Sequence, residues 1–303
     1  MSLLNLMQDP NSQWIVAGTL LLGICSGVIG CFAYLRKQSL MGDALSHAAL
    51  PGICIAFMMT GTKSIFGFLI GALVAGVLAT FAIGYITRET RVKQDAALGI
   101  ILTVFFGIGI VLLTQIQHSG AGNQSGLDKF LFGQAAAMVR QDVLVMAVIC
   151  AILLMVVTFL FKEFKLVSFD PGFAKGIGMP VRFLEQLIMF LLVVAVVVGI
   201  QAVGVVLMAA MLITPAVAAR YWTNKLHVMI IISGLFGGVS GFSGTYISTL
   251  GSNLPTGPLI VLSATFIFVF SLLFAPVKGV VAKARVRKYM KKRVETRSVK
   301  EES

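Results

Sequence analysis

Apolar residues in this chain come in long runs separated by short polar punctuation, with neither the alternation of a half-buried strand nor the single apolar stripe of a soluble helix. The runs predict membrane helices at about 14–35, 43–60, 64–86, 96–116, 143–161, 183–201, 203–219, 227–247 and 258–277. Each is close to the ~20 residues a helix needs to cross ~30 Å of hydrocarbon. The pattern reads as an all-α polytopic membrane protein of about nine transmembrane helices, with eight to ten admitted by two ambiguous places. One is the second run, which is short and interrupted by Pro51; the other is 127–139, LDKFLFGQAAAMV, a candidate half-helix. The sixth and seventh runs are separated by almost nothing.

Composition narrows this further. Of 303 residues, 58% are hydrophobic and 12% charged, and the mean hydropathy is +0.96. A soluble domain is nearer half apolar and a quarter charged, so a water-soluble enzyme, a disordered chain and a collagen are excluded. Cys25, Cys31, Cys54 and Cys150 all fall inside apolar runs with no CxxC spacing, which reads as small buried hydrophobes and not as a disulfide framework. The N-terminal MSLLNLMQDPNSQW carries no basic residue, so it lacks the n-region of a cleaved signal peptide and the first helix is expected to stay.

The net charge of +12 sets the orientation. With the N-terminus outside, the inner segments 36–42, 87–95, 162–182, 220–226 and 278–303 hold 21 of the 24 Lys and Arg residues, and only Lys63, Lys129 and Arg140 lie outside. The chain therefore divides into an extracytoplasmic N-terminus (1–13), a transmembrane domain (14–277) and a basic cytoplasmic tail (278–303). Near anionic lipid that tail gains up to ~1 kcal/mol per basic residue, and no motif points to nucleic acid.

Ionisable groups within spans are costly and few. The clearest cluster is MGDALSHAALPG at 41–52. Asp43 and His47 are i and i+4 on one helix face, and a carboxylate with an imidazole suits borderline cations such as Mn²⁺ and Zn²⁺. Pro51 cannot donate to the carbonyl of His47, which leaves a free oxygen beside them. On spacing alone Asp43 is equally a helix N-cap with His47 as its neighbour, and both readings stand. Thr214-Pro215 likewise frees the carbonyl of Met211, as a packing kink or as pathway lining. His118 reads as a solvated loop residue and His227 as an interfacial one. Gly234 with Gly238, and Gly237 with Gly241, predict close helix packing. The inner segment 165–182 contains a short amphipathic stretch able to lie along the membrane.

Catalytic signatures are missing. There is no GxxxxGK[ST] loop, so ATP is not bound through a P-loop of this chain. The GVSG and GFSG at 238–244 look like a serine-protease motif but have no His after them to act as base.

Four segments carry a family resemblance: SLMGDALSHAALPG at 39–52, FDPGFAKGIGMPV at 169–181, VGVVLMAAMLITPAVAAR at 203–220 and SNLPTGPLIVL at 252–262. Over about 14–277 the chain resembles the permease subunits of manganese/zinc (and iron) ABC importers, the ABC-3 family. The resemblance implies a fold like that of the vitamin B12 and siderophore importer permeases, in a bacterial cell membrane, with the N-terminus outside and the C-terminus cytoplasmic. It implies a second copy of the permease, two cytoplasmic ATP-binding subunits that hydrolyse the ATP, and an extracytoplasmic metal-binding protein. The chain itself would be non-catalytic, with no permanently bound cofactor and Mn²⁺ or Zn²⁺ as cargo, manganese first and iron open. Asp43 and His47 become the expected metal site, and Ser46, Met211, Thr214 and Pro215 the expected pathway lining. Residues 169–181 become the segment coupled to the ATPase, with Asp170, Phe173, Ala174 and Gly178 as contacts. The rival is a self-sufficient secondary transporter, which would need more buried carboxylates than Asp43 supplies.

Overall fold

The computed structural model describes residues 10–38, 40–61, 65–118, 138–250 and 254–284. These form eleven helices, with no strand among the described residues. In chain order they are α1 (Pro10–Leu35), α2 (Met41–Thr60), α3 (Ile65–Glu89), α4 (Gln94–His118), α5 (Arg140–Phe159), α6 (Phe161–Phe169), α7 (Pro171–Gly176), α8 (Val181–Val203), α9 (Val205–Trp222), α10 (Leu226–Leu250) and α11 (Thr256–Phe274). Among the described residues, eight helices are long and apolar enough to cross a membrane, and α9 carries a shorter apolar core, Leu207–Trp222. The long helices coincide with the nine apolar runs. The expected half-helix at 127–139 lies outside the described residues apart from Met138 and Val139, as do residues 285–303 of the tail.

One expectation fails. Pro51 does not interrupt the second span: α2 runs unbroken from Met41 to Thr60 with Pro51 buried inside it. A proline removes one helical hydrogen bond, and here packing against neighbouring helices keeps the turns aligned. Gly52 of α2 and Gly71 of α3 meet so closely that a methyl on either would enter the other's carbonyl.

Helices α1, α2, α8 and α9 supply most of the core. On α9, Met208, Met211, Leu212, Ala216, Ala218 and Ala219 are all fully buried. On α3, by contrast, Phe66, Ile70, Val74 and Leu78 are each more than half exposed. An apolar exterior of this kind suits lipid, and burial in the interior must then come from close packing of small residues. The α1–α10 contact does this. A methyl on Gly23 would enter the backbone of Gly237 and the reverse also holds, while Gly27 meets Ser233 and Gly241 meets Thr19 in the same way. Ser233 Oγ donates to the Gly27 carbonyl at 2.7 Å, and the Thr19 and Thr245 hydroxyls bond each other at 2.9 Å.

Two joints matter for the site. Helices α8 and α9 are separated by Gly204 alone, at φ +90° and ψ +165°, a conformation essentially reserved for glycine. The α1–α2 turn, which leads to Asp43, is tied to α8 by an ion pair, Arg36 Nη2 to Glu185 Oε1 at 2.8 Å. Near the same end of the bundle the Lys278 amide donates to the Tyr221 carbonyl at 3.2 Å. The Lys278 ammonium is held below its ordinary range by partial burial and then by the nearby charges of Arg220 and Lys283.

Candidate functional site

Asp43 and His47 occupy the first two turns of α2, where the free amides of the helix start favour an acidic residue. Leu40 is the residue at the N-cap position, and it makes no side-chain cap. Asp43 is thus inside the helix and not its cap, which frees its carboxylate for another partner. His47 Nε2 lies 3.4 Å from Asp43 Oδ1, longer than the ~3.2 Å limit of an ordinary N–H···O bond. That distance is close to the edge of a coordination shell with metal–ligand bonds of about 2.1 Å, whose edges run from about 3.0 Å (octahedral) to about 3.4 Å (tetrahedral). The ring is held edge-on against Phe106 of α4, with centroids 4.8 Å apart and planes at 80°. Its Nδ1 is buried and has no hydrogen-bond partner. The carboxylate side chain stays 41% exposed while the imidazole is 16% exposed, so the pair is open from the Asp43 side only. Among the described residues no group of three or more His, Cys, Asp or Glu side chains is assembled, so one chain offers two protein ligands here.

Of the four residues expected to line a pathway, three are buried within the single chain. Ser46 is buried, and its hydroxyl donates to the Gly42 carbonyl at 2.7 Å. Met211 and Pro215 are buried in α9, and only Thr214 keeps partial exposure. The reason is that α9 lies in the middle of the bundle, a fact that its uniformly apolar sequence could not reveal. Missed in turn was Phe106, which orients the imidazole; nothing in its local sequence distinguishes it from its apolar neighbours.

At the end of the bundle that holds the Arg36–Glu185 pair, residues 169–181 fold into α7 and its flanks. Asp170 Oδ1 accepts from the Phe173 amide at 2.9 Å, and Pro171 follows at the first helical position. At the other end the Met179 amide bonds the Ala174 carbonyl and the Gly178 amide bonds that of Lys175, both at 3.1 Å, with Gly178 at φ +83°. These are the paired bonds of a Schellman motif. Asp170 and Gly178 therefore build the short helix. Ala174 is fully buried and anchors it to the body of the molecule, so it presents no surface for a contact. Of the four expected contacts, Asp170, Phe173 and Gly178 are exposed, and Phe173 is the large apolar side chain among them, at 58%. Phe169 and Ile177, four residues to either side, are exposed to similar extents, and the three make an apolar stripe that the sequence reading did not assign.

His118 bonds the Thr114 carbonyl through Nδ1 at 2.8 Å. The Ser240 and Ser243 hydroxyls of the GxSG pair donate to the carbonyls of Phe236 and Val239 at 2.6 and 2.7 Å.

The model of the ABC 3 transport family matches residues 8–275. The chain is 60% identical over 278 residues to the manganese transport system membrane protein MntC of Bacillus subtilis, covering 92% of this chain and 64% of that protein. It thus spans less than two thirds of the length of that relative. It is 47% identical over 279 residues to the zinc transport system membrane protein TroC of Treponema pallidum, covering 92% and 94%. Among solved structures it is similar to PsaBC from Streptococcus pneumoniae in complex with Fab, with a TM-score of 0.80 and 37% identity over 90% of this chain and 95% of that one.

Proposed function

The chain belongs to the ABC 3 transport family, and from that premise we propose that it is the membrane-spanning permease subunit of an importer for divalent metal, manganese first. The single observation that carries the site assignment is the Asp43–His47 pair, an oxygen and a nitrogen 3.4 Å apart on one face of α2. Two ligands from one chain are too few for a closed coordination shell. The site is therefore completed by a second copy of the permease, with one carboxylate and one imidazole from each. A mixed oxygen and nitrogen set that binds moderately lets the ion leave again. It accepts Mn²⁺ and Zn²⁺ alike, in keeping with the manganese and zinc systems among the relatives.

The chain has no ATP-binding loop of its own, and the energy comes from separate ATP-binding subunits on the cytoplasmic face. The exposed apolar residues Phe169, at the end of α6, Phe173 of α7 and Ile177 just after it support docking there. A short route links α7 to the metal site: a tight turn joins it to α8, Glu185 of α8 holds Arg36, and Arg36 lies in the turn between α1 and α2 that leads to Asp43. An extracytoplasmic metal-binding protein supplies the ion. The excess of Lys and Arg in segments 36–42, 87–95, 162–182 and 220–226 supports the N-terminus outside and the C-terminus in the cytoplasm.

Reconstitution tests the reading. Vesicles holding this chain with its ATP-binding partner should take up radioactive manganese only when ATP is supplied. Asp43→Ala and His47→Ala should each abolish uptake while the complex still assembles and hydrolyses ATP. Uptake driven by an ion gradient without ATP would favour the secondary transporter, and normal uptake in both variants would remove the metal site from α2.

A further inference from the structure

The second feature of the fold with ligand-like dimensions is a groove of about 730 Å³ between the second half of α3 and the first half of α8. The two helices touch at its closed end: a methyl on Gly76 would lie 2.7 Å from Val193 Cγ1. Two turns further along α3, Gly84 lines the groove and a methyl there would meet nothing within 4 Å. The helices therefore diverge into a wedge that is shut near the middle of the span and open at one end. From Val77, near the apex, to Glu89, at the end of α3, there are twelve residues, or ~18 Å of helix. Half the hydrocarbon core of a bilayer is ~15 Å, so the wedge is as deep as one leaflet.

Its walls change character along that depth. Val77, Phe81, Phe190 and Val193 line the deep part, and Arg36, Gln38, Arg88, Glu89 and Glu185 line the open end. Phe81 and Phe190 remain 62% and 44% exposed, so the chain leaves this surface uncovered. At the polar end Arg36 Nη1 and Gln38 Oε1 are each buried without a hydrogen-bond partner, one a donor and one an acceptor. Arg36 and Arg88 are balanced there by Glu89 and Glu185. A ligand carrying only a negative charge would meet two carboxylates, whereas one carrying both a phosphate and an ammonium meets a complement for each.

We infer that this wedge is a site for one zwitterionic phospholipid, with an acyl chain between α3 and α8 and its head group at the Arg36–Arg88 end. The assignment needs only that the two helices span the bilayer, and it is independent of which face is cytoplasmic and of the metal site. A chain seated there wedges α8 away from α3 and replaces the open space beside Gly84 with packed methylenes, which a mobile annular lipid would not do.

Native mass spectrometry of the full permease complex tests this after incubation with equal amounts of phosphatidylethanolamine and phosphatidylglycerol. The wild type should retain one phosphatidylethanolamine per permease chain. Gly84→Trp, which fills the wedge, should lose it. Gly107→Trp on α4, where an added methyl also meets nothing within 4 Å and which lies outside the wedge, should keep it. Retention by Gly84→Trp, equal loss in both variants, or preference for phosphatidylglycerol would overturn the assignment. A second measurement needs no variant. A phosphatidylethanolamine with a photoreactive acyl chain should label Val77, Phe81, Phe190 and Val193 of the wild type above the outward-facing Phe66 and Ile70. Uniform labelling, or a disulfide joining two permease copies through Phe81→Cys, would mean an annular lipid or a protein neighbour in its place.

Discussion

His47 combines three features: a carboxylate oxygen at 3.4 Å, an aromatic ring packed edge-on against its own, and a buried ring nitrogen with no partner. An unpaired buried polar atom costs ~1–3 kcal/mol, so in the isolated chain the imidazole is held at some cost to stability. Replacing it should therefore remove transport without weakening the fold. His47→Leu is expected to leave the thermal unfolding temperature of the purified permease unchanged or slightly raised, while metal binding is lost. A marked fall in that temperature would mean the residue is structural. Phe106→Ala should act through His47 by releasing the ring, lowering metal affinity by about tenfold, the scale of supporting residues around metal ligands. Titration of the complex with Mn²⁺ would measure it. Much of this site was legible early, because Asp43 and His47 are among the few ionisable residues in the spans and their i, i+4 spacing places them together. Phe106 was not legible, since its role depends on α4 lying against α2, a contact between segments some sixty residues apart with no chemical marker.

The short helix α7 illustrates what an element adds. Its DPGF start and Gly178 end mark a helix by local rules alone, and the capping bonds follow them. Which side faces outward is a matter of how the element is seated. Ala174 is buried against the body and Phe173 is exposed, so the sequence of the segment alone does not say which of its residues present a surface. Phe173→Ala should leave the isolated permease folded and its own metal binding intact, yet weaken capture of the ATP-binding subunit and lower ATP-driven uptake; co-purification checks it. Gly178→Val should give a similar loss by a different cause. A β-branched residue at φ +83° is strained by about 1–3 kcal/mol, and helix α7 would lose its end. The same logic applies to the α8–α9 joint, where Gly204 at φ +90° turns the chain without a loop. Gly204→Ala is expected to destabilise the permease by a comparable amount in thermal unfolding.

Across the molecule, stability rests on backbone-to-backbone approach between helices. Gly23 of α1 and Gly237 of α10, more than two hundred residues apart in sequence, lie in mutual contact. Gly237→Leu should therefore cost ~1–3 kcal/mol, since overpacking against backbone cannot be relieved by a side-chain rotation; Gly99→Leu on α4, where an added methyl meets nothing within 4 Å, should cost little. Thermal unfolding of the two in parallel separates packing from helix propensity. The membrane architecture was open to reading from the chain because lipid demands it: every span must be long, apolar and helical to satisfy its own backbone in hydrocarbon, and that demand is written in consecutive residues. Helix number, approximate ends, family and the Asp43–His47 pair followed from such local or nearly local signals. The order of the helices in space did not, because in an apolar bundle the face turned to a neighbour and the face turned to lipid are built from the same residue types. Burial of Met211 and Pro215, the inward seating of Ala174, the continuity of α2 through Pro51 and the wedge between α3 and α8 all depend on packing between distant segments, where hydrophobicity no longer distinguishes inside from outside.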